Sequence, residues 1–287
     1  REGLSIKTIL RESWKSRIGT GYFEWQERFE KLTPQDMSAI RKQIQGLQSP
    51  PLISILMPVY NPDPHLLRQA LDSVQNQIYP YWELCIADDA SPNAQIQTIL
   101  EDYCRADSRI HVIFRKENGH ICAASNSALD LCTGTYTALM DHDDILPEVA
   151  LYFVAMEITQ HPDAMLIYSD EDLLSPQDKR YNPHFKPDWN EPLFLASNYL
   201  NHLSIYRTSL LREIGGFRLG YEGSQDHDLT LRCVLKIRPS QIRHIPRILY
   251  HWRQFPGSGS FSDRALEQCK KARRQAVADY LETKKCN

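Results

Sequence analysis

The chain has 287 residues, of which 42% are hydrophobic, and a formal net charge of −3 at pH 7. That length and composition can bury the core of one large domain, alone or with an appendage. A charge so close to neutral argues against a nucleic-acid-binding protein. No apolar run approaches the roughly 18 residues that a membrane span requires.

Two further features bear on where the protein acts. Several of the seven cysteines, such as Cys85 and Cys122, lie in apolar segments, and no CxxC pair occurs. This pattern predicts reduced core thiols in a cytoplasmic protein. The basic cluster at 270–274 favours a solvated helix face over a docking site for anionic lipid. Peripheral association with the inner face of the membrane stays open as an alternative.

Residues 1–49 predict a helical N-terminal appendage. They are charged, and apolar residues recur at helical spacing, as in Tyr22, Trp25 and Phe29. Thr33 precedes a proline and is placed to start a helix. The two prolines at 50 and 51 break the helical pattern, so the main domain is expected to cover residues 50–287.

From residue 52 onward, short β-rich runs alternate with runs of helical periodicity. The predicted strands cover 53–59, 84–87, 110–114, 136–140 and 165–168, and the predicted helices cover 66–76, 96–104, 121–131 and 147–161. The strands are apolar throughout, which is typical of strands buried on both faces. The sequence therefore predicts an α/β fold with a mostly parallel central sheet flanked by helices.

The rest of the chain has a different pattern. Residues 173–200 predict a long loop rich in proline and aromatic residues, of the kind that often forms a lid or an acceptor platform. After it we expect a strand at 203–206, a helix ended by Gly215 and Gly216, a helix from Asp226, strands near Ile242 and Ile248, and a C-terminal helix at about 261–285.

Acidic residues follow several of the predicted strands. They are Asp88 and Asp89, then Asp141, Asp143 and Asp144, and then Asp170, Glu171 and Asp172. In an open parallel sheet the strand ends meet at one edge, where ligands bind. Crowded carboxylates repel one another unless a cation neutralises them, and oxygen ligands prefer Mg²⁺ or Mn²⁺. The alternative is ordinary turn chemistry, which favours aspartate after strands.

Several other classes of enzyme lack their motifs in this sequence. There is no GxxxxGK(S/T) phosphate loop and no GxGxxG after the first strand, which argues against P-loop and Rossmann dinucleotide sites. There is also no HExxH and no GxSxG, which argues against zinc peptidases and serine hydrolases.

Six segments, taken in chain order, carry a resemblance to a known family. They are 53–61 (ISILMPVYN), 87–91 (ADDAS), 118–126 (NGHICAASN), 140–144 (MDHDD), 223–229 (GSQDHDL) and 251–253 (HWR). In this order they resemble the inverting family-2 glycosyltransferases, which have the GT-A fold. The resemblance covers about residues 52–260. It implies a nucleotide-binding half at about 50–145 and an acceptor half at about 146–260.

The resemblance implies a nucleotide-binding site in the first half. Pro58, Tyr60 and Asp88 would line the pocket for the base and the ribose. Asn126 would lie near the nucleotide, and Asp141 would face the ribose.

The resemblance also implies roles in catalysis. Asp143 would ligate Mn²⁺ or Mg²⁺ on the diphosphate, His251 would be a second metal or diphosphate ligand, and Arg253 would contact phosphate. Asp226 would be the general base. The family often has Glu before this aspartate, whereas Gln225 stands there in this chain, which puts the pKa of the base or its acceptor contacts in doubt.

Three residues are weaker candidates for acceptor binding. Asp170 and Glu171 could bind acceptor hydroxyls, or they could cap a turn. Trp189 could stack on a sugar ring, or it could pack in the core.

The resulting hypothesis is a metal-assisted transferase that moves a sugar from a nucleoside diphosphate donor, UDP by default in this family, to a glycan or lipid-linked acceptor. One alternative is an inactive nucleotide-sugar-binding module, which the presence of Asp141, Asp143 and Asp226 disfavours. The other is a sugar-nucleotide pyrophosphorylase, which would need a glycine-rich basic loop after the first strand, where this chain has Asn61 to Pro64.

Overall fold

The computed structural model describes residues 21–254 and 263–286. Residues 1–20, at the start of the predicted appendage, and residues 255–262, between the predicted acceptor half and the C-terminal helix, lie outside the described part. The strands are β1 Ile53–Val59, β2 Trp82–Asp88, β3 Ile110–Phe114, β4 Tyr136–Leu139, β5 Leu166–Leu174, β6 Arg180–His184, β7 Ser204–Arg207 and β8 Ile242–Arg253.

The helices surround one central sheet. They are α1 at 21–29, α2 Pro34–Gln45, α3 Pro64–Gln75, α4 Ala94–Ala106, α5 His120–Leu131, α6 Ala150–Gln160, α7 Glu191–Ala196, α8 Thr208–Glu213, α9 Gln225–Val234 and α10 Asp263–Cys286. Together with the strands they form the predicted GT-A type of α/β fold, which is confirmed.

The sheet has the order β3-β2-β1-β4-β7-β5-β6, and β8 pairs with β5. Strands β1 to β4 are parallel, as predicted. Strand β7 is antiparallel to both β4 and β5, and β8 runs parallel to β5. The carboxyl ends of β1 and β4 therefore lie side by side, and the second half of the sheet is mixed.

The central strands are buried on both faces, which explains their apolar sequence. In β1, Ile53, Ile55 and Met57 belong to one hydrophobic cluster, while Leu56 belongs to a second cluster. Alternate side chains of a strand point to opposite faces, so the sheet separates two cores. This arrangement holds the strand ends in a fixed relation to one another.

Helix α2 connects the appendage to the first core. Thr33 is its N-cap and forms a capping box with Asp36, as the sequence predicted. Ile40 and Ile44 of this helix are buried in the first cluster. Residues of the appendage therefore pack against the sheet domain.

Some boundaries differ from the prediction. Strand β5 continues to Leu174, so the acidic triplet at 170–172 lies inside a strand and not beyond its end. The predicted loop at 173–200 contains β6 and α7, and the two strands expected near 242 and 248 are one strand, β8. Strand β5 pairs with both β6 and β8, and these long-range pairings extend it beyond its apolar part.

The predicted core thiols are confirmed, because Cys85, Cys122, Cys132 and Cys233 are buried and unpaired. Among the described helices, none combines the length and the apolar character needed to cross a bilayer.

Candidate active site

A cleft of about 670 Å³ opens at the carboxyl ends of β1 and β4. Its walls come from four segments: the end of β1 with the residue that follows it, the residue after β2, the start of α5 with the residues before it, and the turn after β4. The lining residues are Pro58, Val59, Tyr60, Asp89, Asn118, His120, Ile121, Ala124, Asp141, His142 and Asp143. Pro58, Tyr60, Asp141 and Asp143 were predicted from the sequence, and the structure brings them together.

Three half-buried carboxylates, those of Asp141, Asp143 and Asp226, lie near one another, and the first two line this cleft. Burial raises the pKa of Asp141, and the negative charges of Asp226 and Asp143 raise it further. The first turn of α9 therefore faces the turn after β4, although 85 residues separate Asp226 from Asp141. Within the described residues, neither Asp141 nor Asp143 forms a side-chain ion pair with a lysine or an arginine.

Asp226 lies in the first turn of α9, where Ser224 is the N-cap. The Asp226 carboxylate accepts a hydrogen bond of 3.1 Å from Nε2 of Gln225, and the side chain of Asn201 also donates to it. Burial raises the pKa of Asp226 to about 6, and the hydrogen bonds oppose this rise. A carboxylate that titrates near neutral pH suits a general base.

Asp144, for which the sequence predicted no individual role, anchors the acidic turn at 141–144 to strand β8. Asp144 is buried and accepts hydrogen bonds from the hydroxyl of Tyr250 at 2.6 Å and from the backbone N–H of Arg253 at 2.7 Å. The same tyrosine hydroxyl accepts from the backbone N–H of Asp141 at 3.1 Å. Strand β8 therefore holds the turn that carries Asp141 and Asp143.

Arg253 supports the same turn. Its Nε donates to the backbone oxygen of Asp143 at 2.9 Å, and its two terminal nitrogens donate to Asp178 at 2.6 Å and to Gln69 at 2.8 Å. Only 1% of its side chain is exposed. The predicted phosphate contact of Arg253 thus disagrees with the geometry, because protein oxygens already accept from each of its nitrogens.

His251 lies on β8 beside Asp172 of β5. Its Nδ1 is 2.6 Å from Oδ1 of Asp172. Burial raises the pKa of Asp172, but the hydrogen bond and charge of His251, with the charge of Arg180, lower it by more, so the net shift is downward. An ionised carboxylate can only accept, so Nδ1 donates, and when the ring is neutral its lone pair lies on Nε2. Within the described residues no group hydrogen-bonds this Nε2.

No preformed cage for a metal ion is present in the described part of the chain. There, no three side chains of His, Cys, Asp or Glu converge closely enough to hold an ion. Mg²⁺ and similar ions on phosphate substrates commonly use only one or two protein carboxylates, and water and phosphate oxygens complete the coordination. The arrangement at Asp143 is of this sparse kind.

The residues expected around the nucleotide divide into two groups. Tyr60 is 50% exposed and presents its ring to the cleft beside Pro58. Asp88, by contrast, is buried and accepts from the hydroxyl and from the backbone N–H of Ser91, which itself accepts from the backbone N–H of Asn61 at 2.8 Å. Asp88 therefore orders the ends of β1 and β2.

The neighbouring Asp89 lines the cleft in place of Asp88. Its carboxylate accepts from Nε of Arg115 at 2.7 Å and from the backbone N–H of Gly119 at 3.0 Å. These contacts hold the residues that lead into α5 against the cleft. The sequence alone groups Asp89 with Asp88 and predicts no separate role for it.

Asn126 does not line the cleft. Its amide pairs with the backbone of Phe217 in both directions, at 2.8 Å each. Gly216, with φ +67°, passes so close that an added Cβ would lie 2.4 Å from the amide oxygen. Asn126 thus connects α5 to the segment before α9, and its predicted nucleotide contact disagrees with this position.

The weaker acceptor candidates have internal partners. Asp170 accepts from the backbone N–H of Lys186 at 2.8 Å and lies 2.9 Å from Nε2 of His244. Glu171 is buried and pairs with Nδ1 of His184 at 3.1 Å. These contacts explain why carboxylates are tolerated inside β5, and they leave neither residue in the cleft.

Trp189 packs on Phe194 at a ring distance of 5.4 Å and lines a different cavity, together with Tyr280. The structure therefore favours the core-packing alternative for this tryptophan.

The chain was compared with known proteins. The profile described as Glycosyl transferase family 2 matches residues 54–215. The protein y4gI of Sinorhizobium fredii is 46% identical over 98% of this chain and 31% of that protein. The O-antigen biosynthesis protein RfbC of Myxococcus xanthus is 34% identical over 86% of this chain and 19% of that protein. The chain thus spans about a third or less of the length of these relatives.

Solved structures share the fold. The crystal structure of S. aureus TarS 1-349 in complex with UDP-GlcNAc is similar with a TM-score of 0.62 and 20% identity, over 80% of this chain and 71% of that one. The mannosyltransferase PcManGT of Pyrobaculum calidifontis, in complex with GDP-Man and Mn²⁺, is similar with a TM-score of 0.57 and 15% identity, over 86% of this chain and 70% of that one.

Proposed function

The chain belongs to the family 2 glycosyltransferases, and from that membership we propose that it transfers a sugar, with inversion, from a nucleoside diphosphate donor to a glycan or lipid-linked acceptor. The observation that carries this proposal is the position of Asp141 and Asp143 in one cleft with Tyr60, close enough to Asp226 for its charge to raise the pKa of Asp141. Such a site offers a base and a place for a cation next to an aromatic ring. The name of the Myxococcus relative favours a surface polysaccharide as the product.

The donor would bind along the cleft. The exposed ring of Tyr60 can stack on the base, and Asp141 can accept hydrogen bonds from the ribose hydroxyls. A UDP-sugar is the first candidate, because TarS has been crystallised with UDP-GlcNAc and with UDP. A guanosine donor is the second, since the structure of PcManGT is a complex with GDP-Man.

Asp143 is the proposed protein ligand of Mn²⁺ or Mg²⁺, and Nε2 of His251 is the proposed second one. The fit rests on two observations: the carboxylate of Asp143 is half-buried without a paired cation among the described residues, and Nδ1 of His251 is held by Asp172. A bound divalent ion neutralises the charge that develops on the departing diphosphate.

Asp226 is the proposed base. The acceptor hydroxyl attacks the anomeric carbon from the face opposite the diphosphate, and its proton passes to the carboxylate as the bond to the diphosphate breaks. The stereochemistry at that carbon is inverted because one displacement occurs from the opposite face. Gln225 and Asn201 donate to the carboxylate and orient it.

A panel of UDP, TDP and GDP and their sugars tests the donor and the metal together. A ligand that binds only the folded state raises the midpoint of thermal unfolding. We expect the best donor to give a shift that depends on Mn²⁺, and Asp143→Ala to remove the metal-dependent part. The control is Asp102→Asn, an exposed carboxylate of α4 whose one ion pair among the described residues is with Arg105. If no nucleotide shifts the midpoint with or without Mn²⁺, the proposed function is wrong.

A further inference from the structure

A hydrogen-bonded chain connects helix α1 of the appendage to His251 on β8. It starts at the hydroxyl of Tyr22, which donates to Oδ2 of Asp172 at 2.5 Å. Tyr22 is 7% exposed, and its ring stacks on Trp25 at 5.9 Å. The series of hydrogen bonds continues from Oδ1 of Asp172 to Nδ1 of His251, at 2.6 Å.

Arg180 completes the set of donors around Asp172. Its Nε donates to Oδ2 at 2.6 Å, and its Nη2 donates to the hydroxyl oxygen of Tyr22 at 3.0 Å. The same Nη2 lies 2.7 Å from Glu30, at the end of α1. Tyr22 therefore has one acceptor and one donor partner, and Oδ2 receives both of its hydrogen bonds from Tyr22 and Arg180. Oδ1 is left for the histidine.

This arrangement determines the tautomer and orientation of His251. Because Oδ1 of Asp172 accepts, Nδ1 of the ring must donate, and the neutral ring then carries its lone pair on Nε2. A carboxylate that holds one ring nitrogen fixes the tautomer and the orientation of a metal-binding histidine and makes its other nitrogen more basic. The side chain of Asp172 is fully buried, so its own orientation depends on Tyr22 and Arg180.

We infer that Tyr22, acting through Asp172, is a positioning residue for His251, so that helix α1 of the appendage completes the metal-binding side of the active site. The inference rests on the proposed function, because it takes Nε2 of His251 as a ligand. It goes beyond that function by giving a role in metal binding to a residue outside the part of the chain that matches the family, 54–215.

The test measures the affinity for Mn²⁺ directly, by the electron paramagnetic resonance signal of free Mn²⁺ in the presence of UDP. Tyr22→Phe keeps the ring that packs on Trp25 and removes only the hydroxyl. We expect it to weaken Mn²⁺ binding about tenfold, and Asp172→Asn to weaken it by about 10- to 100-fold. His251→Ala removes the proposed ligand itself, so we expect it to weaken Mn²⁺ binding at least as much as the other two variants.

The matched control is Tyr152→Phe. The hydroxyl of Tyr152, on α6, donates to Gln43 of α2, so it also connects the appendage to the sheet domain but takes no part in the chain to His251. We expect this variant to bind Mn²⁺ like the wild type. Both phenylalanine variants should show unchanged circular dichroism and a similar midpoint of unfolding without metal.

Enzyme kinetics distinguish positioning from damage to the fold. In Tyr22→Phe, we expect the Mn²⁺ concentration for half-maximal rate to rise about tenfold while kcat at saturating Mn²⁺ stays near the wild-type value. If Asp143→Ala and His251→Ala weaken Mn²⁺ binding but Tyr22→Phe does not, the inference is overturned and the proposed function stands. If none of the variants, nor the wild type, shows a UDP-dependent Mn²⁺ site, the proposed metal role fails and the inference fails with it.

Discussion

The turn after β4 and the middle of β5 each carry three acidic residues, but their surroundings differ. In β5, Asp170, Glu171 and Asp172 are buried and each pairs with a histidine, and Asp172 with an arginine too. In the turn, Asp141 and Asp143 are half-buried at a cleft, without a basic partner in the described part of the chain. The same residue type thus stabilises the fold in one place and is left for a ligand in the other.

The comparison shows which carboxylates to treat as functional. A buried charge must be paired, and pairing with fixed protein groups uses up its capacity to bind anything else. A carboxylate whose pKa stays raised because of burial or like charges has not been compensated in this way by the fold. Burial raises the pKa of Asp226, and burial together with the charges of Asp226 and Asp143 raises that of Asp141.

The largest expected effect is the loss of transfer activity when Asp226 is substituted. Asp226→Asn keeps the size of the side chain and one acceptor oxygen but cannot accept the proton, so we expect the rate of transfer to fall by about 10²- to 10⁴-fold. Donor binding should change little. Release of UDP from UDP-sugar in the presence of acceptor measures the rate, and a variant with full activity would remove Asp226 from its proposed role.

For a carboxylate inside β5 we expect substitution to lower the stability of the fold. Asp172→Ala leaves Arg180 and His251 without their acceptor in a buried position, and we expect it to lower the free energy of unfolding by about 3–5 kcal/mol. Urea denaturation monitored by circular dichroism measures this change. A loss below about 1 kcal/mol would show that this carboxylate is not needed for the fold, which would weaken the contrast with the cleft.

The raised pKa of Asp226 predicts a pH dependence. Because burial raises it to about 6, the base is protonated at low pH, and we expect the rate to increase with pH through about 6 and then level off. The folded state also binds this proton more tightly than the unfolded chain, so the contribution of Asp226 to stability falls as pH rises from about 4 to about 6. Asp226→Asn should lack both effects, whereas a rate profile flat from pH 5 to 8 in the wild type would contradict the assignment.

The smallest expected effect is on stability, and it measures the repulsion between the carboxylates of the cleft. Asp141→Asn removes one of the repelling charges at the cleft, and without metal we expect it to stabilise the fold by on the order of 1 kcal/mol. Thermal unfolding in a chelator measures this, with Asp102→Asn as the control. A destabilised variant would mean that the cleft carboxylates are held by favourable contacts, as those of β5 are.

The sequence predicted those features of the fold and of the candidate site that depend on local patterns. Apolar runs located β1, β2 and β4, and Asp89, Asp141 and Asp143, which follow β2 and β4, line the same cleft as the end of β1. The resemblance added Asp226, whose position at the start of α9 agrees with the predicted helix.

The parts that could not be predicted depend on partners far away in the chain. Asp172 meets His251 and Tyr22, which lie 79 and 150 residues away, so its motif gave no sign that it was already paired. Asn126 meets the backbone of Phe217, which is 91 residues away. Polar residues are assigned to binding or to folding by such long-range contacts, and no local spacing records them.

The most direct test of the central claim is a crystal structure of the protein soaked with UDP and Mn²⁺. We expect the uracil beside Tyr60, the ribose at Asp141, and the ion between the diphosphate and Asp143, while Asp170 and Asp172 keep their present partners. An empty cleft, or an ion bound at the acidic residues of β5 instead, would contradict it.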